Sequence, residues 1–170
     1  FICYYIIIHE WIIVGWFGVS IQGRWDLTEN RLYTLSDASE DILVNLDDLV
    51  TIKLFTSNEP PVQVSLVARE VDRFLSDVQA RSKGNVRLIR ILADVDEESK
   101  EQARRAFVPP VQFNVESQGQ LLIKEGYLGI AIYYANRQEV IQYVDSVGGL
   151  EYNVLSKIYR MTQKLPSEMV

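Results

Sequence analysis

The sequence contains too little cysteine and histidine for several common kinds of protein chemistry. It has one cysteine and one histidine among 170 residues. A disulfide framework needs paired cysteines, and a zinc site usually needs three or four cysteine or histidine ligands, so the sequence argues against both. The histidine is His9, near the start of the chain. A nucleophile–histidine–acid triad therefore cannot form within the main body of the sequence.

Other motifs of catalysis and nucleic-acid binding are also missing. The formal net charge is −6 and there is no basic run, which argues against nucleic acid as a partner. No P-loop or C-x-x-C motif is present, so ATP binding by a P-loop and dithiol redox chemistry are excluded. The acidic run from Asp94 to Glu98 lacks the glycine and distal glutamate of a calcium loop, and it predicts a helix start instead. We expect no catalytic residue, metal site or cofactor, and hence no enzyme.

What the sequence does have is a long apolar front end. Sixteen of the 21 residues from Phe1 to Ile21 are apolar, enough to span a bilayer as a helix. Its eleven Ile, Val and Phe residues favour insertion by about 3–7 kcal/mol, and a central ionisable residue such as Glu10 costs about 2.5–3.5 kcal/mol. Residues 1–22 are therefore predicted to form a transmembrane helix, with Glu10 facing a partner. A buried helix, or a strand followed by a shorter helix, is the alternative.

The rest of the chain divides at a change in charge. Residues 24–48 carry two basic and seven acidic residues, whereas residues 49–170 carry fifteen of each. Residues 23–48 are predicted to be a linker with a short helix capped by Ser36. Residues 49–170 are predicted to be a soluble domain. Because the chain starts at Phe1 rather than Met, we expect it to be a fragment of a longer protein.

Within the soluble domain, strand and helix periods alternate. Strands are predicted at 50–55, 86–92 and 111–116, and helices at 62–82, 97–107 and 150–165. Two hairpins are expected, one from 111 to 124 and one from 127 to 144. This order predicts an α/β fold, a thioredoxin-like mixed sheet with flanking helices. In that fold a cis-proline precedes the third strand, so we expect a cis bond between Pro109 and Pro110.

The same fold suggests where a partner would bind. The catalytic cysteines of thioredoxins follow the first strand, but residues 56–61 contain no thiol. What can remain is the surface that receives extended peptides, with Asn58, Glu59, Pro109 and Pro110 beside it. These four residues are candidate partner-binding positions, and plain loop residues are the alternative. Four tyrosines could form a binding platform or simply pack across strands: Tyr127, Tyr133, Tyr134 and Tyr143.

One string of residues carries a resemblance to a known family. Residues 24–36, RWDLTENRLYTLS, follow the apolar segment and resemble the corresponding region of GldG-type, gliding-motility-associated auxiliary subunits of ABC transporters. Weaker matching strings lie at 46–55, 59–61, 108–113, 125–130 and 150–153, so the resemblance runs from about Ile12 to Leu165.

The resemblance implies a non-catalytic auxiliary subunit of an ABC transport system. It implies an anchor in the bacterial inner membrane, an extracytoplasmic (periplasmic) domain that binds partner subunits or substrate, and an ABC permease and a separate ATPase as partners. Membrane lipid would contact the anchor, where Glu10 is a further candidate partner-binding residue. The alternative is a membrane-tethered thioredoxin-like module that binds a peptide or ligand and is not tied to a transporter.

Overall fold

A computed structural model of the chain describes residues 35–117 and 120–163. Helices and strands alternate at first, and hairpins follow. The elements in chain order are α1 Asp37–Val44, β1 Val50–Thr56, α2 Val62–Arg81, β2 Val86–Leu92, α3 Glu97–Arg105, β3 Val111–Ser117, β4 Gln120–Gly126, β5 Leu128–Tyr134, β6 Arg137–Ile141 and α4 Leu150–Thr162.

The main sheet contains four strands in the order β2-β1-β5-β6. β1 and β2 are parallel, because α2 carries the chain back between them. β5 runs antiparallel to both of its neighbours, β1 and β6. The protein is therefore an α/β fold with a mixed sheet and flanking helices, as the alternation of strand and helix patterns predicts.

The sheet is covered on both faces because alternate residues of its strands point in opposite directions. Ile52 and Leu54 of β1 belong to the larger core, which also contains apolar residues of α1, α2 and α4. Phe55 points the other way and belongs to a smaller core with Ala103 of α3. Gly129 lets Val108 approach β5 on this face, since a Cβ at residue 129 would lie 2.5 Å from Val108 Cγ1.

The helix starts follow local capping chemistry. Ser36 is the N-cap of α1, as predicted, and its hydroxyl accepts a hydrogen bond from the Ser39 N–H. Asp96 caps α3 in the same way through the Ser99 N–H, at 2.7 Å. The acidic run at 94–98 is thus a helix start, as predicted. α3 ends at Arg105 rather than near 107, because Phe107 takes a positive φ of 60° well before the two prolines.

Two predictions about the region after α3 are wrong. The strand at 111–116 exists, but β3 pairs with β4 in a separate two-stranded sheet and is not part of the main sheet. The bond between Pro109 and Pro110 is trans, not cis. Both errors have one cause: the third strand to join the main sheet is β5, so Pro110 precedes an added hairpin. Pro109 and Pro110 are themselves exposed, and the bond between them follows the ordinary preference for the trans form.

The predicted transmembrane helix at 1–22 lies outside the described residues. Within residues 35–117 and 120–163, no helix combines the length and the apolar character needed to cross a bilayer.

Candidate functional site

A groove of about 720 Å³ runs along α2 at the carboxyl ends of β1 and β2. Its floor is formed by the last residues of the two strands, one wall by α2, and one end by the loop between β1 and α2. The lining residues are Leu54, Thr56, Ser57, Asn58, Pro60, Ser65, Ala68, Arg69, Asp72, Arg73, Ser76, Asp77, Arg90 and Leu92. Most of these side chains are polar or charged, so the groove offers hydrogen bonds and ion pairs above a partly apolar floor.

The helical period of α2 builds the wall of the groove. Ala68, Asp72 and Ser76 are spaced four residues apart, so they lie on one side of the helix. The adjacent side carries Val71 and Val78, which are fully buried in the larger core. Burial of that apolar side fixes the rotation of α2, and the polar row is thereby held over the end of β2.

Arg90 is the central charged residue of the groove. It follows Val86 and Leu88 at the strand period, so it points to the face of the sheet that α2 covers. Its guanidinium forms a two-pronged ion pair with the Asp72 carboxylate, and its Nη2 also donates to Ser76 Oγ at 2.8 Å. Both partners are partly exposed, so the pair contributes only about 0–1 kcal/mol to stability. Its main effect is to hold a planar set of donors in a fixed orientation.

The loop between β1 and α2 is fixed by two hydrogen bonds to other parts of the chain. The buried Ser57 hydroxyl accepts the Tyr127 N–H at 2.8 Å, and the Asn58 N–H donates to Asp94 Oδ1 at 2.7 Å. Gly126 fits closely beside this loop, because a Cβ there would lie 3.3 Å from Pro61 Cδ and 3.5 Å from Ser57 Oγ. The end of the groove is therefore held by contacts from two separate segments, Gly126–Tyr127 and Asp94.

The structure places the predicted partner-binding residues in different positions. Asn58 lines the groove, and Glu59 is exposed in the same loop. Pro109 and Pro110 are exposed just before β3 and are not among the groove residues. Glu10 lies outside the described residues. Of the five candidates, then, the structure puts Asn58 into the groove.

The sequence analysis missed the charged center of the groove. A signal for it was present, because Arg90 interrupts an otherwise apolar set of inward-facing residues in β2, namely Val86, Leu88 and Leu92. A charge at an inward-facing position of a strand indicates a partner or an opening in the core. Its partner Asp72 could not be identified in the same way, since many charged residues occur along α2.

The four tyrosines do not form one platform. Tyr127 and Tyr133 pack against the smaller core, whereas Tyr134 and Tyr143 pack against the larger one. Burial raises the pKa of Tyr133. Burial and, to a smaller extent, nearby acidic charge raise the pKa of Tyr127 and of Tyr143. The Lys53 ammonium lies 5.2 Å from the centre of the Tyr133 ring. These tyrosines are therefore better interpreted as packing residues than as a binding platform.

A second polar cluster joins the two ends of the described domain. Glu151, in the first turn of α4, accepts hydrogen bonds through Oε1 from the Ser36 N–H at 2.9 Å and from the Ser39 hydroxyl at 2.6 Å. Partial burial alone would raise the pKa of Glu151, but these hydrogen bonds outweigh it and lower the pKa below its usual value. The cluster fixes the start of α1 against the start of α4.

These sites contain donors and charges suited to binding. Within residues 35–117 and 120–163, no group of three Asp, Glu, His or Cys side chains is placed to hold a metal ion. The charged groups that line the groove are the side chains of Arg69, Arg73 and Arg90 and the carboxylates of Asp72 and Asp77. This combination can orient an extended polar chain or an acidic group.

Comparison with known proteins gives a family but no activity. A relative from Borreliella burgdorferi, described as an uncharacterized protein, is 26% identical over 143 residues. The match covers 82% of this chain and 28% of the relative, so the chain spans under a third of that protein's length. No solved structure matches the chain. The model of the family described as "Domain of unknown function (DUF7088)" matches residues 29–133, more than half of the sequence. The protein therefore belongs to the DUF7088 family.

Proposed function

We propose that the protein is a non-catalytic, membrane-anchored auxiliary subunit of an ABC transport system. In this proposal residues 1–22 anchor it in the bacterial inner membrane, and the described domain lies on the extracytoplasmic side. An ABC permease and a separate ATPase are its partners, and the domain binds those subunits or the substrate.

The observation that carries the proposal is a contact between two of the strings that resemble the GldG-type family. Ser36 is the last residue of the string at 24–36, and Glu151 belongs to the string at 150–153. The Ser36 N–H donates to Glu151 Oε1 at 2.9 Å. This contact supports the proposal because it brings residues of two of the resembling strings together in the fold.

We also propose that the fold is thioredoxin-like. The support is the order β2-β1-β5-β6, with β1 parallel to β2 and antiparallel to β5. On this assignment β3 and β4 are an inserted hairpin, and the loop before the third strand of the fold is Gly126–Tyr127. That loop contacts Ser57, where thioredoxins carry their catalytic cysteines, so the groove lies beside the surface that receives extended peptides in that fold.

A second candidate function is favoured by the groove itself. A membrane-tethered thioredoxin-like module that binds a peptide or ligand would need an open site with fixed donors. The Arg90 guanidinium, which Asp72 and Ser76 hold in place as acceptors, supplies such donors. In this alternative the occupant of the groove is a free peptide or ligand rather than a transporter subunit.

Affinity purification from the membranes of the native host distinguishes the two functions. The auxiliary-subunit proposal predicts that the tagged chain retains a protein with many membrane spans and a P-loop ATPase, in a constant ratio. If the chain is recovered without both of these proteins under gentle detergent conditions, the proposal is wrong. Retention of a peptide instead, lost in an Arg90→Ala variant but not in an Arg105→Ala control, would establish the second candidate.

A further inference from the structure

The β3–β4 hairpin carries an apolar surface that the fold does not use. Leu121, Leu122 and Ile123 are consecutive in β4, and their exposed fractions are 81%, 45% and 68%. Successive residues of a strand point to opposite faces, so both faces of β4 are apolar and open to solvent. Phe113, near the base of the hairpin, does pack on the larger core, and its ring centre lies 6.0 Å from that of Tyr143. The hairpin is thus attached at its base.

Among the described strands, β4 has a partner on one edge only. β4 pairs with β3 on one edge, and no other strand of the described residues adjoins the opposite edge. The outer edge therefore presents backbone N–H and C=O groups that a further strand can bind. A two-stranded sheet is marginally stable in water, and added strands stabilise it.

We propose that β4 pairs with β4 of a second copy of this chain. The two strands meet antiparallel about a two-fold axis, and the two hairpins form one four-stranded sheet across the dimer. A two-fold interface uses the same surface on both copies, so it requires a strand that is complementary to itself. β4 meets this requirement because its apolar run is symmetric about Leu122.

The pattern of side chains selects one register. With Leu122 opposite Leu122 of the second copy, Leu121 lies opposite Ile123, and all three apolar residues face apolar residues. β3 already places Val115 opposite Leu122. One face of the combined sheet would therefore carry a continuous row of Val, Leu, Leu and Val. If the axis moves to Ile123, Lys124 lies opposite Leu122 and Glu125 opposite Leu121, which is a poorer match.

A second copy fits this surface better than a bilayer does. A hairpin that inserts into lipid needs its apolar residues at the tip. Here the sequence between Val115 and Leu121 is Glu-Ser-Gln-Gly-Gln, which has no apolar residue. Insertion of Leu121–Ile123 would carry this polar segment into the hydrocarbon, at a cost of several kcal/mol for its unpaired polar groups. Edge pairing buries the apolar run and leaves the polar segment in water.

The first test is the mass of the full chain in detergent, measured by sedimentation over a range of concentrations. The unmodified chain is expected to be a dimer. Leu122→Lys places two ammonium groups opposite each other at the axis and should weaken the dimer by at least about tenfold. Val62→Lys is the matched control, because Val62 is 77% exposed on α2 and outside the hairpin. A monomeric unmodified chain, or a dimer that Leu122→Lys leaves intact, overturns the proposal.

A second test does not depend on the folding of a charged variant. In a Cys3→Ser background, a Leu122→Cys chain should form a disulfide with its copy under mild oxidation, because directly opposed Cβ atoms lie about 4.5–5.5 Å apart. Leu121→Cys should cross-link more slowly, because its copy lies diagonally, about 7–8 Å away. Equal rates for the two variants contradict the register, and no cross-link at either position contradicts the interface. The inference does not rest on the proposed transport function.

Discussion

At the scale of single residues, Glu151 joins segments that are more than a hundred residues apart in sequence. Its carboxylate accepts hydrogen bonds from Ser36 and Ser39, which stand at the start of α1. The sequence does not show that Ser36 and Glu151 are partners. A serine N-cap and an acidic residue in a first helical turn are each explained by the local helix start. The distant contact appears only when α1 and α4 pack together.

Glu151→Gln is expected to destabilise the domain by about 1–3 kcal/mol at pH 7, since the serine donors lose a charged acceptor. The folded-state pKa of Glu151 is lowered. Its contribution is therefore fully present above the unfolded value of about 4.3 and is lost as pH falls through the lower folded value. Urea unfolding of both proteins should thus give a difference at pH 7 that shrinks in acid. Asp47→Asn, at an exposed position, should change stability little at either pH.

Gly129 is a second residue whose role is local and testable. A Cβ there would lie 2.5 Å from Val108 Cγ1 and 2.7 Å from the Gln142 carbonyl oxygen. Gly129→Ala should therefore lower the free energy of unfolding by about 1–3 kcal/mol through overpacking. Gly148→Ala is the control, because the nearest atom that its Cβ would meet is 3.9 Å away. Equal stability of the two variants in urea unfolding would show that β5 and Val108 are not packed as described.

At the scale of elements, the sequence was most informative where a periodic pattern is long. The apolar period of α2, the alternation in β1 and the apolar content of β2 each predicted an element that the structure contains. The apolar spacing of α4 was equally clear. Their burial in a shared core reinforces the local preference, so pattern and structure agree.

The sequence was less informative about which strands pair. β3 and β4 have the alternation of ordinary strands, and nothing in that pattern distinguishes an added hairpin from strands of the main sheet. The exposure of apolar residues in β4 distinguishes the added hairpin from the main sheet. This exposure cannot be predicted from the sequence, because burial depends on tertiary packing. The groove was only partly predictable for a similar reason: Asn58 follows from its place after β1, whereas the pairing of Arg90 with Asp72 depends on the position of α2 over β2.

The cap of α3 provides a test at this scale. The Asp96 carboxylate accepts the Ser99 N–H, and this hydrogen bond is the main cause of the lowered pKa of Asp96. Asp96→Ala should destabilise the start of α3, whereas Asp96→Asn keeps an acceptor and should destabilise it much less. Thermal unfolding of the two variants measures the difference. A loss of similar size in both would mean that the charge, rather than the hydrogen bond, stabilises the helix start.

At the scale of the whole molecule, the chain also contains the apolar segment of residues 1–22, which carries Glu10. For a lone helix of this composition, the free energy of membrane insertion is near zero. A partner for Glu10 would make insertion favourable. Glu10→Leu should therefore strengthen insertion of the isolated segment and weaken assembly with the partner subunit. A glycosylation-mapping assay measures the first effect, and co-purification measures the second. If assembly is unchanged, Glu10 does not lie at an interface.

The central claim is that this chain is a stoichiometric subunit of a transporter. Its most direct test is native mass spectrometry of the complex released from host membranes in detergent. We expect a particle whose mass includes this chain, a permease with many membrane spans and an ATPase. On collisional activation this particle should lose the chain as an intact unit. Particles that contain this chain alone or as a homodimer, with the transporter subunits found separately, would contradict it.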